Sequence, residues 1–420
     1  MKILLCSLGS HGDVHPYLAL GRELLRHGHG VTFCTSSCYR GLIERHGIAF
    51  VPIRPDAPSD DRAAMAKIMH ARRGPEAVIK EHLMPALRDT YQDLLEPATQ
   101  ADLLVSHVLT YAVPLLAEKL RKPWVSTVLS PMVFFSAHDV PVLAPLPILA
   151  RLRVLGPCFN AWLFRQLKKV SRSWSRPLAM LRRELGLPVG RDPLWEGQHS
   201  PHQVLAMFSP RFGPPQPDWP PNVHVTGFPF LDAPDEPLVA ELSRFVDAGE
   251  PPIVFTLGSS AVRVAGDFYP VAVQAAQRLN RRAVLVAGQG AAALRPRLPP
   301  TMTAVDWANY PGLFSRAAAV VHQGGVGTTA QALRAGVPQV VVPFAHDQFD
   351  NAERVRRLGC GRMLGRGRLS ARTLAGELRS LLADEGTATA AREEGRRVRE
   401  ERGAAHAAEV MLARFASHSA

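Results

Sequence analysis

AVVHQGGVGTTAQALRAGVPQVVVPFAHDQFDN, residues 319–351, is the stretch whose reading decides the fold. Ala319, Val320 and Val321 form an apolar run without polar alternation, the mark of a strand buried on both faces of a parallel sheet. The run stops at His322. Gly324, Gly325 and Gly327 then allow a tight turn and close backbone approach, while Thr328 and Thr329 open a helix that runs through Leu333 and ends at Gly336, Val337 and Pro338. A strand, a glycine turn and a helix N-terminus together make an anion site, because free N–H groups and the positive end of the helix dipole face whatever lies above the turn. A phosphate or diphosphate is its natural guest. Val340, Val341 and Val342 give the next buried strand, and the loop beyond Pro343 carries Asp347, Gln348 and Asn351, a set of hydrogen-bonding groups that suits a polyol. Both features reach the same rim of the sheet, where open α/β sheets bind ligands.

The rest of the chain extends this reading. A length of 420 residues, with 46% hydrophobic and 20% charged residues, fits a globular protein of two domains with a core each. The opening MKILLCSLGSHGD reads as a first strand and lacks the pattern of a secretory signal, and no apolar run is long enough to span a bilayer. Five scattered cysteines without a CxxC pair suggest neither a disulfide framework nor a zinc site. The expected compartment is the cytoplasm, with peripheral contact at the inner face of the membrane as a variant. A net charge of +12 would attract anionic ligands or anionic lipid, or simply follow from a genome that encodes Arg in place of Lys. Basic residues are not interleaved with stacking aromatics, so no nucleic-acid partner is expected.

Residues 2–7 form strand one, followed by the turn GSHGDVHP at 9–16 and a helix whose apolar residues run from Tyr17 to Leu25. This βαβ opening lacks GxGxxG and an acidic residue ending strand two, which argues against a nicotinamide dehydrogenase. Asp13 also suits the N-cap of that helix. Further strands are read at 31–34, 50–53, 103–105 (ending at Ser106 and His107) and 124–128. Residues 131–187 change character: an apolar, proline-broken segment with Phe134 and Phe135 is followed by Arg165, Lys168, Lys169, Arg172, Arg176, Arg182 and Arg183. An apolar wall beside a basic helix would suit an amphiphilic ligand with a carboxylate head, a protein resting on an anionic membrane, or two ordinary core helices with solvated arginines. The proline-rich 213–237 reads as the interdomain connection. A second domain then starts with a strand at 253–256 leading to Gly258, Ser259 and Ser260, continues through strands at 283–287 and 303–305, and reaches Trp307.

Residues 319–351, together with AERVRRLGCG at 352–361, resemble the donor-binding signature of family 1 glycosyltransferases, and the resemblance covers nearly the whole chain. GIAFVP (47–52), DWPPNVHVTGFP (218–229), GDFYP (266–270) and HDQFDNAERVRRLGCG (346–361) read most like bacterial rhamnosyltransferases of mono-rhamnolipid synthesis, with sterol- and antibiotic-type enzymes as further kin. The resemblance implies an α/β GT-B fold, two Rossmann-like doubly wound domains facing each other across a cleft. Residues 1–212 would bind the acceptor, 213–237 would link, 238–395 would bind the nucleotide-sugar donor, and a helix within 396–420 would return to the first domain.

By the same resemblance Asp13 is the base that deprotonates the acceptor hydroxyl, with His11 or His15 assisting or merely neighbouring it. Some family members support the base with an acidic residue after the strand at 103–105; this chain has Ser106 there. His15, His107, Phe134 and Phe135 are the acceptor-side candidates. On the donor side the diphosphate would rest on Ser259, Gly324, Gly325, Gly327 and Thr328 with His322 donating to a phosphate oxygen, the base on Trp307, and the sugar on Asp347 and Gln348. Asn309 and Tyr310 replace the family's usual Pro-Gln after the tryptophan, which leaves thymine and uracil open. No Asp-x-Asp pair is present to hold a metal, and no cofactor is expected beyond a dTDP- or UDP-sugar co-substrate. The expected reaction is inverting hexosyl transfer, rhamnosyl from dTDP-rhamnose, to a hydrophobic or lipid-like acceptor such as a hydroxyalkanoyl-alkanoate. UDP-glucosyl transfer to a sterol, polyketide or carotenoid, a GT-B sugar-nucleotide epimerase, and a catalytically silent membrane-associated partner of an acceptor-synthesising enzyme remain alternatives.

Overall fold

The computed structural model describes residues 1–56, 61–232 and 237–415. Two all-parallel sheets carry the chain. The first contains β1 (Lys2–Cys6), β2 (Gly30–Thr35), β3 (Ala49–Pro52), β4 (Leu103–His107), β5 (Trp124–Val128), β6 (Gln203–Ala206) and β7 (Val223–Val225), in the order β3-β2-β1-β4-β5-β6-β7. The second contains β8 (Ile253–Thr256), β9 (Ala283–Val286), β10 (Met302–Val305), β11 (Ala319–His322), β12 (Gln339–Val341) and β13 (Gly361–Met363), in the order β10-β9-β8-β11-β12-β13. Central strands such as β4 and β11 are buried along their whole length, which is why their apolar residues read as uninterrupted runs.

The strand order reverses between β1 and β4 in one sheet and between β8 and β11 in the other, and loops leaving the carboxyl ends of these strands open the crevices where such sheets take ligands. Helix His11–Arg26 follows β1, and helix Val326–Ala335 follows β11. The two helix starts meet: a Cβ placed on Gly327 would lie 3.9 Å from the Cα of Gly12. One cleft therefore has the two switch points as its opposite walls.

The segment read as a connection is only partly one. Val223–Val225 pairs with β6 as the edge strand of the first sheet, so this sheet extends well past residue 212. At the other end, helix Glu385–Glu400 packs on Val326–Ala335, and helix Gly403–Phe415 returns to the first domain beside His11–Arg26. Ala407, Ala408, Met411 and Phe415 join the core formed by Ile3, Leu5, Tyr17 and Leu18. Burial of Met411 and Phe415 is worth roughly 1.5–3 kcal/mol each, enough to hold the final helix against the first domain.

A further apolar cluster is shared by the domains, with Phe208, Phe212, Trp219 and Phe228 on one side and Leu333, Val341, Val355 and Val398 on the other. Beside it Arg354, 3% exposed, lies 2.7 Å from both Asp350 and Asp139 and donates to the Phe212 carbonyl at 3.0 Å. Asp350 also accepts from the Val142 N–H at 3.0 Å. No helix among the described residues is long and apolar enough to cross a membrane.

Candidate active site

The cleft between the sheets has a volume of about 1780 Å³ and takes lining from both domains. Asp13 stands on its first-domain wall. Ser10, not Asp13, caps helix His11–Arg26: the Ser10 hydroxyl accepts from the Gly12 N–H, while Asp13 Oδ2 accepts from the Ser10 N–H at 2.7 Å in a capping box. Asp13 thus occupies the third helical position rather than the N-cap. Gly9, at φ +139°, admits this arrangement, since a Cβ there would come within 2.3 Å of Asp13 Oδ2. With Oδ2 held, Oδ1 is the oxygen left to act, and it lies 3.6 Å from His107 Nε2.

His107 ends β4, is 4% exposed, and its Nδ1 has no hydrogen-bond partner. Burial pulls its pKa down while the Asp13 charge pulls it up, the former winning. Ser106, at the position where an acidic partner was sought, is tied to Thr110 and the His107 carbonyl. His11 and His15 also line the cleft, their rings edge to face with centroids 5.1 Å apart. Burial and the Arg263 charge lower the pKa of His11, and burial together with His11 and His46 brings His15 to about 4. Both are neutral near pH 7.

Phe135 lines the cleft and packs on Trp195 with centroids 4.3 Å apart. Phe134 does not line it. The turn Pro131–Phe134 passes into a left-handed Phe135 (φ 47°), and this sends the Phe134 ring the other way, onto Trp219 at 4.1 Å. Leu143, Leu146, Leu167, Val170 and Trp174 complete an apolar wall, but the arginines and lysines at 165–183 lie outside the cleft. The cations inside it are Arg45, Arg62, Arg72, Arg263 and Arg297.

Across the cleft, Gly325, Val326, Gly327 and Thr328 present the first turn of helix Val326–Ala335. Thr329 N–H reaches the Gly325 carbonyl at 3.0 Å, so the turn before it is where N–H groups remain for an anion. The Thr328 hydroxyl is in hydrogen-bond contact with Tyr310, which also meets Thr256 Oγ1 at 2.8 Å. Ser259 lines the same end, and Trp307, 61% exposed, offers a free indole face after β10.

His322 is not at this surface. It is fully buried, Nε2 bonding the Gln339 side chain at 2.8 Å and Nδ1 accepting from the Gly324 N–H at 3.0 Å, so neither ring nitrogen is left for a phosphate. Burial brings its pKa to about 4. Gly324 belongs with it: at φ +93° it turns the chain inward, and a Cβ would meet Val341 at 2.7 Å and the Gln348 carbonyl at 2.9 Å. The residue the sequence reading passed over is Gln323, between them. It lines the cleft with its side chain against Gly258 and Gly325, and its buried Oε1 has no partner. A polar side chain between a strand end and a double glycine was the available signal.

Asp347 and Gln348 line the cleft. Gln348 Oε1 is taken by the Phe344 and Ala345 N–H groups at 2.8 and 3.1 Å, so it shapes the loop as well as facing the cleft. Asn351 is fully buried and braces the loop, its amide donating to the Gly324 carbonyl and to Asp347 Oδ2, both at 2.8 Å. Burial, with the Asp13 and Asp350 charges adding, lifts the Asp347 pKa to about 7 despite that bond.

Two facing Rossmann-like domains, with a helix N-terminus and an exposed indole opening onto the cleft between them, make the GT-B architecture of nucleotide-sugar glycosyltransferases. Sequence profiles agree: the glycosyltransferase family 28 N-terminal domain matches residues 3–93, and the C-terminal domain of the erythromycin biosynthesis protein CIII-like family matches 272–413. The O-mycaminosyltylonolide 6-deoxyallosyltransferase of Streptomyces fradiae is 34% identical over 417 residues, spanning 97% of this chain and 96% of the relative. A sterol 3-beta-glucosyltransferase of Cryptococcus neoformans is 30% identical over 98% of this chain, which spans 27% of that longer protein. Among solved structures, the glycosyltransferase VinC, in complex with dTDP, superposes with a TM-score of 0.70 at 22% identity over 99% of this chain and 100% of that one. The chain belongs to the family 1 GT-B glycosyltransferases, among the antibiotic- and sterol-type enzymes.

Proposed function

We propose that this glycosyltransferase is inverting and metal-independent, and that it moves a 6-deoxyhexosyl group from a dTDP-sugar to a hydroxyl of a hydrophobic acceptor. The observation that carries the reading is the placement of Asp13 opposite the first turn of helix Val326–Ala335, with the Gly12 and Gly327 backbones nearly touching between them. A sugar whose diphosphate rests on that turn has its anomeric carbon between leaving group and base. The acceptor oxygen attacks from the Asp13 side, the bond to the diphosphate breaks on the other, and configuration inverts in a single displacement.

A carboxylate is a weak base for an alcohol. It suffices when the proton leaves late, after bond formation to an oxocarbenium-like carbon has made the hydroxyl acidic. The proton passes to Asp13 Oδ1, and the departing charge is met by N–H groups and the helix dipole. Closure of the domains supplies orientation and excludes water that would hydrolyse the donor. The apolar wall from Phe135 to Trp174 supports a transferase over an epimerase, which has no acceptor to accommodate.

Rhamnose is the sugar favoured by the motif resemblance; the deoxyhexosyl relative supports the wider class. A hydroxyalkanoyl-alkanoate fits the apolar wall, its carboxylate meeting the cleft arginines rather than the basic helix outside. The second reading, glucosyl transfer from UDP-glucose to a sterol, draws on the Cryptococcus relative. A donor panel of dTDP-rhamnose, dTDP-glucose, UDP-glucose and UDP-N-acetylglucosamine against a hydroxyalkanoyl-alkanoate, a macrolide aglycone and a sterol distinguishes them by nucleoside diphosphate release. Turnover with dTDP-rhamnose, lost in Asp13→Asn, supports the proposal. Turnover with UDP-sugars alone selects the second reading, and release undiminished in Asp13→Asn overturns the assignment of the base.

A further inference from the structure

Between Asp139 and Glu184 the chain has nine basic residues and no acidic one, against a net charge of +12 for the whole protein. Three of the nine are paired: Arg153 with Glu353, Lys168 with Glu196, and Arg182 with Glu118. The other six, Arg151, Arg165, Lys169, Arg172, Arg176 and Arg183, are exposed and form no ion pair among the described residues. So much unneutralised positive charge on one segment is a surface looking for anions.

The same segment also exposes several large apolar side chains. Ile148, Val154 and Leu155 on the turn Pro147–Leu155 are 55%, 82% and 55% exposed, and Trp162 on the adjoining helix Pro157–Ser171 is 47% exposed. That helix is two-sided. Asn160 and Phe164 are buried, Phe164 against Phe135 and Trp195, while Trp162, Arg165 and Lys169 follow one another at helical spacing on the outer side. An apolar tip, a tryptophan beside it and a basic stripe behind is the layout of a helix lying in a membrane interface. The patch reaches the cleft mouth, since Leu146 and Val170 are exposed outside and line the cleft within.

We propose that this face docks the enzyme on an anionic lipid surface, with the cleft mouth at the membrane so that an apolar acceptor enters from the lipid. A folded protein partner would offer carboxylates at fixed positions. The six cations instead spread along a turn and two helices without converging, which matches headgroups that move laterally to meet them. The docking does not depend on which acceptor the enzyme uses, and its readout is independent of turnover.

The test is co-sedimentation of the full chain with phosphatidylcholine vesicles with and without phosphatidylglycerol. Binding to the anionic vesicles alone, released by high salt and weakened on the order of a hundredfold by combined Arg165→Glu, Lys169→Glu and Arg172→Glu, is the expected result. The variant should keep the wild-type melting temperature and dTDP affinity. A blue shift of the fluorescence contributed by Trp162, measured as the difference between wild type and Trp162→Phe, gives a readout that does not need the charge variant to fold. Equal binding to both vesicle types, no binding to either, no Trp162 shift, or a solution dimer broken by the charge reversal would overturn the proposal; the dimer would assign the face to a second copy of the chain.

Discussion

His107 Nε2 lies 3.6 Å from Asp13 Oδ1, joining the end of β4 to the head of helix His11–Arg26 across the seam between β1 and β4. The pair puts the carboxylate in front and the imidazole behind it, one residue past Ser106, where some family members carry an acidic partner for the base. Ser10 holds Oδ2, so His107 is the side-chain group left to steer Oδ1.

His107 acts through Asp13 and is a positioning residue. His107→Phe should lower kcat on the order of tenfold while leaving the KM of the donor within about twofold, the scale of a lost polar neighbour rather than a lost base. Asp13→Asn should cost on the order of a hundredfold or more. His107→Gln, which keeps an N–H donor near Oδ1, should recover part of the loss. A fall in dTDP affinity equal to the fall in kcat would show that His107 only holds up the fold.

His322→Ala should act on stability rather than on phosphate binding. It leaves the Gly324 N–H and the Gln339 side chain without their partner inside the second domain, at a cost of about 1–3 kcal/mol each way the loss is shared. The expected outcome is a lower melting temperature with dTDP affinity little changed in the folded fraction. A specific loss of diphosphate affinity at unchanged stability would return His322 to the donor site.

These two histidines show where sequence reading ran out. The strands and the glycine turn were legible because apolar runs and Gly-Gly-x-Gly are local patterns, and β5 and β8 fall where the apolar runs put them. In a strand buried on both faces, alternation no longer says which side a terminal residue takes, so His322 could be placed at the rim but not given a direction. Phe134 went astray in the same way, while Phe135 reached the cleft: one left-handed residue parts their directions. The pairing of Asp13 with His107 and of Arg354 with Asp139 depends on strand order and domain contact, which no local pattern carries. Val223–Val225 was legible as a short strand among prolines, but its pairing with β6 as the edge of the first sheet was not, because register between distant strands leaves no local pattern.

Asp347 gives a pH signature. Its folded pKa of about 7 stands above the ordinary carboxylate value of about 3.9, so the folded state keeps a proton that the unfolded chain releases across that interval. The contribution to stability is full below about pH 4 and is lost as pH rises through about 7. Asp347→Asn should therefore flatten the fall in melting temperature between about pH 4 and 7. If Asp347 also accepts from sugar hydroxyls, the ratio of dTDP-sugar to dTDP affinity should drop as the pH falls below about 7, because an ionised acceptor binds a hydroxyl more strongly. Titration calorimetry above and below about pH 7 checks this, and an affinity ratio indifferent to pH in wild type would remove Asp347 from the sugar site.

Arg354 holds the domains together through charge. It is buried between Asp350 on its own helix and Asp139 on the first domain, with Arg357 also 2.6 Å from Asp139. Burial works against ionisation of Asp139, but Arg354 and Arg357 hold its carboxyl below the usual range. That depressed value makes its contribution present above about pH 4 and lost as acid protonates it. Arg354→Met strands Asp350 in a dry interface and leaves Asp139 with Arg357 alone, and should cost about 3–5 kcal/mol, whereas adding Asp139→Asn and Asp350→Asn to the same chain should recover part of it, because neutral amides bury at far lower cost than unpaired charges. Denaturant melts of the single and triple variants measure both terms. If Arg354→Met melts like wild type, the shared apolar cluster alone secures the interface, and the ion cluster serves register rather than stability.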